Sequence, residues 1–106
     1  MYSFEDIKER SESENELVVG YTDAIKLLYL FEQIDTQVIG WEGWLKYDNG
    51  QIGTSLKYQG TVDLSGMPNS SAIALVKSTI MQANSEWEED PEVNGASLLF
   101  CITTNT

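Results

Sequence analysis

Residues 37 to 60 read QVIGWEGWLKYDNGQIGTSLKYQG, and the way this stretch folds decides the architecture of the 106-residue chain. Asn49-Gly50 is a strong hairpin signal, because the central positions of a tight turn need positive φ, which glycine adopts freely and asparagine tolerates. Folded about a two-residue loop, the chain sets Asp48 opposite Gln51, Tyr47 opposite Ile52, Leu45 opposite Thr54, Gly43 opposite Leu56 and Trp41 opposite Tyr58. Alternate positions share a face, so Ile39, Trp41, Leu45, Tyr47, Ile52, Leu56 and Tyr58 make one apolar surface. The opposite surface carries Glu42, Trp44, Lys46, Ser55 and Lys57. Trp41 and Trp44 stand three apart, an odd spacing that sends the two indoles to opposite faces of a strand. Trp41 therefore reads as core. Trp44 reads either as a ring half covered by its neighbours or as an exposed anchor for a partner, since buried aromatic rings dominate interface energetics.

Helical periodicity flanks this hairpin on both sides. Thr22-Asp23 opens a helix, with a hydroxyl to cap a free backbone N–H and an acid suited to the dipole. Ala24, Leu27, Leu28, Phe31 and Ile34 follow at helical spacing, with Lys26, Glu32, Gln33 and Asp35 on the wet side. After Pro68, Asn69-Ser70-Ser71 start a second helix, along which Ala72, Leu75, Val76, Thr79, Ile80, Ala83 and Trp87 form a stripe. It stops before Pro91, because the residue ahead of a proline is pushed out of helical geometry. Asn94-Gly95 then turns the chain into ASLLFCITT, residues 96 to 104, where both alternating sets are apolar and an interior strand is expected. LVVGY, residues 17 to 21, is the candidate to pair at its side. These elements predict a single α+β domain over residues 1–106. Its order is α-β-β-α-β, with a mostly antiparallel central sheet, two helices on one face and residues 1–16 as a frayed acidic arm.

Charge narrows the function. The chain holds 17 acidic and 6 basic residues, a formal net charge of -11, with no histidine and one cysteine. Such a protein is repelled by nucleic acid and by anionic membrane, and a charged partner should be basic. Without histidine it lacks the usual general base and a usual zinc ligand, and Cys101 lies in an apolar run as a small hydrophobe, so neither an enzyme nor a cofactor is expected. No 18-residue apolar span occurs and the first residues are acidic and polar where a signal peptide is basic and then apolar, which points to the cytoplasm.

The acids are concentrated. Residues 5 to 16 hold six acids and two bases, and residues 86 to 92, EWEEDPE, hold five acids and no base, so these two stretches carry nine of the eleven net charges. A calcium site would need the acid spacing and loop glycine of known calcium loops, which the second stretch lacks. Paired-carboxylate glycosidase chemistry would need a substrate cleft that a domain of this length seldom builds. Two readings of Glu86, Glu88, Glu89, Asp90 and Glu92 remain: a solvated helix end, or a surface imitating the phosphates of nucleic acid. With Glu42, Trp44 and Asp48 from the hairpin, they make up the candidate partner-binding residues.

The order helix, hairpin with Ile-Gly-Trp-Glu-Gly-Trp, returning strand, helix and final strand ending Phe-Cys-Ile-Thr resembles the small immunity proteins of bacterial nuclease toxins. The closest in arrangement are those paired with tRNA-cleaving colicins and with contact-dependent growth inhibition toxins. The chain departs from them in its acidic N-terminal segment and in the second hairpin tryptophan. The resemblance implies a cytoplasmic α+β protein without catalysis of its own, which binds a basic RNase domain and covers its RNA site. Two alternatives stay open: an acidic nucleic-acid mimic aimed at a phage-defence or restriction enzyme, and a small-molecule-binding module using Tyr47 and Tyr58.

Overall fold

The computed structural model of the protein describes residues 4–9, 11–12, 17–55, 57–60, 63–64 and 66–104. Its elements are α1 (Phe4–Glu9), β1 (Val18–Val19), α2 (Tyr21–Gln33), β2 (Val38–Tyr47), β3 (Ile52–Thr54), α3 (Asn69–Glu89) and β4 (Ala96–Thr104). The four strands form one antiparallel sheet in the order β1-β4-β2-β3, giving the α+β class read from the sequence. The doubly apolar β4 is interior, and residues 18 and 19 pair at its side, as expected.

One face of the sheet presents Trp41, Leu45, Leu98, Phe100 and Ile102 to the helices, where Ala24, Leu27, Leu28 and Phe31 of α2 and Ala72, Val76, Ile80, Ala83 and Trp87 of α3 meet them. Trp41 is its centrepiece. Its ring lies 5.4 Å from that of Phe100, and its indole N–H donates to Thr79 Oγ1 at 2.8 Å. Fully burying a large apolar side chain contributes roughly 1.5 to 3 kcal/mol, so this layer dominates the stability of the fold.

The hairpin register differs from the expectation by one residue. Trp44 pairs with Thr54, Leu45 with Gly53 and Lys46 with Ile52, so the loop is Asp48-Asn49-Gly50. Tyr47 N–H donates to Gln51 O at 2.8 Å, Gly50 N–H donates to Tyr47 O at 2.9 Å, and Gly50 ends the turn at φ +88°. A three-residue loop closed by a left-handed glycine uses the same residue for the same conformational reason as the shorter turn. A slip of one residue reverses the faces of the partner strand. Ile52 therefore stands beside Lys46, away from the core, and Ser55 is buried instead of lying on the polar surface. Leu56 lies outside the described residues.

A bulge displaces Ile39 as well. Val38 pairs with Thr104 and Gly40 with Thr103, leaving Ile39 the extra residue and putting fully buried Val38 on the core face in its place. At the other end of α2, Gly20 is the N-cap and no side chain bonds it, so Thr22 lies inside the helix and caps nothing. Ile34 is the C-cap and is 62% exposed, because Asp35 at φ +56° turns the chain away while Thr36 N–H closes onto Phe31 O at 2.9 Å. On α3, Leu75 is exposed and Ile73 is buried, since this helix packs against α2 as well as the sheet. Asn69 does not cap its own helix. Its amide donates to Thr36 O at 2.9 Å and its carbonyl accepts from Val38 N–H at 2.9 Å, tying the start of α3 to the end of α2.

Where it is described, the N-terminal segment is anchored. Ile7 of α1 is fully buried in the main core. Val18 N–H donates to Ser11 Oγ at 3.0 Å, Glu12 N–H donates to Val18 O at 2.9 Å, and Glu12 pairs with Lys46 at 2.7 Å. Residues 13–16 of the ESENE run lie outside the described residues.

Candidate functional site

The carboxylates at the end of α3 are positioned by Trp87. Its ring is buried and meets Tyr58 edge-on at 6.3 Å and 64°, which fixes the last turn against the sheet. With residue 87 held inward, helical geometry sends Glu86, Glu88 and Glu89 outward, and all three are exposed together with Asp90. Asp90 N–H donates to Glu86 O at 2.9 Å, the last helical bond before Pro91. This turn contains no basic residue, and none of these four side chains has an ion-pair partner among the described residues. The backbone adds to the effect. The last carbonyls of a helix carry about half an elementary negative charge, so dipole and carboxylates coincide.

Asp48 belongs to the same end of the molecule. Its N–H donates to Gly95 O at 3.1 Å, joining the hairpin turn to the link between α3 and β4. Gly95 has φ +81°, and a Cβ there would stand 2.9 Å from Asp48 Oδ2, so glycine serves both the turn and this approach. Glu92 lies in the same link but is tied inward. Its Oε1 accepts from Ser55 Oγ at 2.6 Å, and that oxygen accepts in turn from Tyr58 N–H at 2.9 Å. Ser55 is thus a buried knot between the hairpin and the end of α3, a role that the sequence reading missed with the register.

Glu42 and Trp44 occupy the other face of the sheet. Cross-strand pairing places Glu42 beside Cys101 and Trp44 between Leu99 and Thr54. The Trp44 ring is half-buried over a small second cluster of Val18, Leu99 and Cys101, and its indole N–H donates to Glu42 Oε1 at 3.2 Å. The eight candidate residues therefore divide: Asp48, Glu88, Glu89, Asp90 and Glu92 gather at one end, Glu42 and Trp44 lie on the helix-free face, and Glu86 stands a turn back.

Glu86 lines a cleft of about 470 Å³ with Trp41, Lys57, Gln59, Thr79 and Gln82. The loop after β3 makes this cleft by folding back over β2. Gly43 N–H donates to Tyr58 O at 2.7 Å and Ser55 N–H donates to Gly43 O at 2.8 Å. Tyr58 is buried and also lines this cleft, and its hydroxyl has no hydrogen-bond partner among the described residues, whereas Tyr47 sits at the hairpin turn and does not line it. Among the described residues, no three metal-ligating side chains group together, and no helix is long and apolar enough to cross a membrane. Searches against family models, curated proteins and solved structures find no match to this chain.

Proposed function

We propose that this protein is an antitoxin of the immunity-protein kind, which binds a basic nuclease toxin, an RNase domain, and covers the cleft where RNA binds. The proposal is carried by the exposed carboxylates Glu86, Glu88, Glu89 and Asp90 at a helix C-terminus, which have no ion-pair partner among the described residues. Each exposed acid there opposes the dipole at a cost of a few tenths to about 1 kcal/mol. Their placement does not serve the helix. It does serve a partner that holds phosphates with lysine and arginine, because focused charge steers association toward ~10⁸ to 10⁹ M⁻¹s⁻¹ at low salt.

In this account the protein works in the cytoplasm by binding alone, without cofactor and without touching nucleic acid. Glu88, Glu89 and Asp90 meet the basic cleft first, Asp48 and Glu86 extend the contact, and Glu92 supports the surface through Ser55. Glu42 and the edge of the Trp44 ring form a separate contact on the helix-free face, reached only by a partner that wraps around the edge of the sheet.

The test begins with the open reading frame immediately upstream. Its C-terminal domain is induced in a bacterial host with and without this protein. Growth arrest with loss of intact RNA, relieved by co-expression and accompanied by a co-purifying complex, is the expected outcome. A toxic domain that kills equally in the presence of this protein, or an upstream product without toxicity, removes the proposal.

A further inference from the structure

We infer that the groove between α2 and α3 is a self-complementary surface through which two copies of this protein pair about a two-fold axis. Asn69, at the start of α3, is bonded to residues 36 and 38, just beyond the end of α2, so the two helices run alongside each other in opposite directions. Between them lies a groove of about 460 Å³ floored by Leu28 and Ile73. Tyr29, 63% exposed, stands on its rim. Small Ser70 and Ala74 leave the α3 side of the groove open.

The charges at its two ends are opposite. Glu32 lies at the C-terminal end of α2, near Ser70. Lys77, seven residues and roughly 10 Å further along α3, lies with Lys26 at the other end. Glu32 and Lys77 are exposed and have no ion-pair partner among the described residues. A two-fold axis across the middle of the groove lays the basic end of one copy on the acidic end of the other, pairing Glu32 with Lys77 of its mate twice over, with the two Tyr29 rings between them.

The charge balance of the whole chain selects this occupant. Only six of its residues are basic, and two of them flank this groove in a protein of net charge -11. The acidic end of α3 begins at Glu86, nine residues or about 13 Å beyond Lys77, which exceeds the Debye length of ~8 Å at physiological salt. Repulsion between the acidic ends is therefore screened while the pairs in the groove remain close.

Sedimentation velocity at physiological salt tests the pairing. At about 200 μM, a range that reports micromolar dissociation constants, the parent should move from 11.9 kDa toward twice that mass. Glu32→Lys and Lys77→Glu should each weaken association by about tenfold or more, by setting like charges opposite each other. An equal mixture of these two variants should recover it, because each supplies what the other lacks. Tyr29→Lys, at an exposed position, should be monomeric with an unchanged melting temperature. A parent that stays at 11.9 kDa up to about 1 mM overturns the inference, as does a dimer that survives Tyr29→Lys or a mixture that fails to recover.

Discussion

Gly43→Ala adds one methyl group where the fold has no room for it. A Cβ at residue 43 would stand 2.5 Å from Tyr58 O, 2.8 Å from Tyr58 Cβ and 3.4 Å from Leu98 Cδ1. The nearest atom is a backbone oxygen held at 2.7 Å by the N–H of Gly43 itself, so it cannot swing aside as a side chain would. Relief requires Tyr58 to lift from β2. Overpacking of this kind costs about 1 to 3 kcal/mol, and losing the hydrogen bond adds about 1 kcal/mol. Alanine returns roughly 0.5 to 1 kcal/mol over glycine within a strand, leaving a net loss of about 1 to 3 kcal/mol. In a domain near this length that lowers the melting temperature by roughly 4 to 12 °C. Gly53→Ala is the matched control. Residue 53 lies across the same hairpin, and its Cβ would meet nothing within 4 Å among the described residues, so stability should hold or rise slightly. Thermal melts of both variants, followed by tryptophan fluorescence to report the Tyr58–Trp87 contact, decide the matter. Equal melting temperatures for the two would mean that the loop does not lie over β2 and that the cleft beside Glu86 does not form.

Gly50→Val should lower the urea midpoint markedly, because φ is +88° there and a β-branched residue resists it; an unchanged midpoint would show that the turn is built otherwise. Trp41→Ala should cost about 3 to 5 kcal/mol as a core cavity, and Trp44→Ala about 1 to 2 kcal/mol, since its ring covers only one small cluster; equal losses would contradict the assignment of faces. Ser55→Ala leaves Tyr58 N–H unsatisfied and releases Glu92, so about 1 to 3 kcal/mol should be lost, and a neutral result would show that this knot carries no stability.

The parts of the fold legible in the sequence were those with redundant signals. β4 announced itself through two apolar alternations at once, and α3 through a stripe sustained over several turns. Trp41 and Trp44 separated by parity alone, which holds over any regular stretch of β2. The losses came where one residue changes the count. Asn49-Gly50 fits both a two-residue and a three-residue loop, because glycine takes positive φ in either, and only the hydrogen bonds of Tyr47 and Gly50 choose between them. The bulge at Ile39 has no local signature, since Val38 and Ile39 are equally suited to the core. Ser55 was misplaced as a consequence of register, and the cleft beside Glu86 depends on a return loop that no periodicity encodes. The acidic end of α3 was visible as composition. That Trp87 directs those acids outward, and that Asp48 joins them through Gly95, required the tertiary structure.

If the acids at the end of α3 guide this protein onto a basic nuclease, as proposed, charge should set the rate of binding. Stopped-flow association with the purified toxin domain, for the parent and for the variant Glu88→Gln, Glu89→Gln, Asp90→Asn, measures that rate. Between 50 and 500 mM salt the Debye length contracts from ~14 to ~4 Å, so the parent rate should fall steeply. The neutralised variant should associate about tenfold more slowly than the parent at the lower salt and converge with it at the higher, while melting at the same or a slightly higher temperature. A variant that associates as fast as the parent at 50 mM salt, and protects the toxin's RNA substrate equally well, would contradict the account and reduce this surface to a solvated helix end.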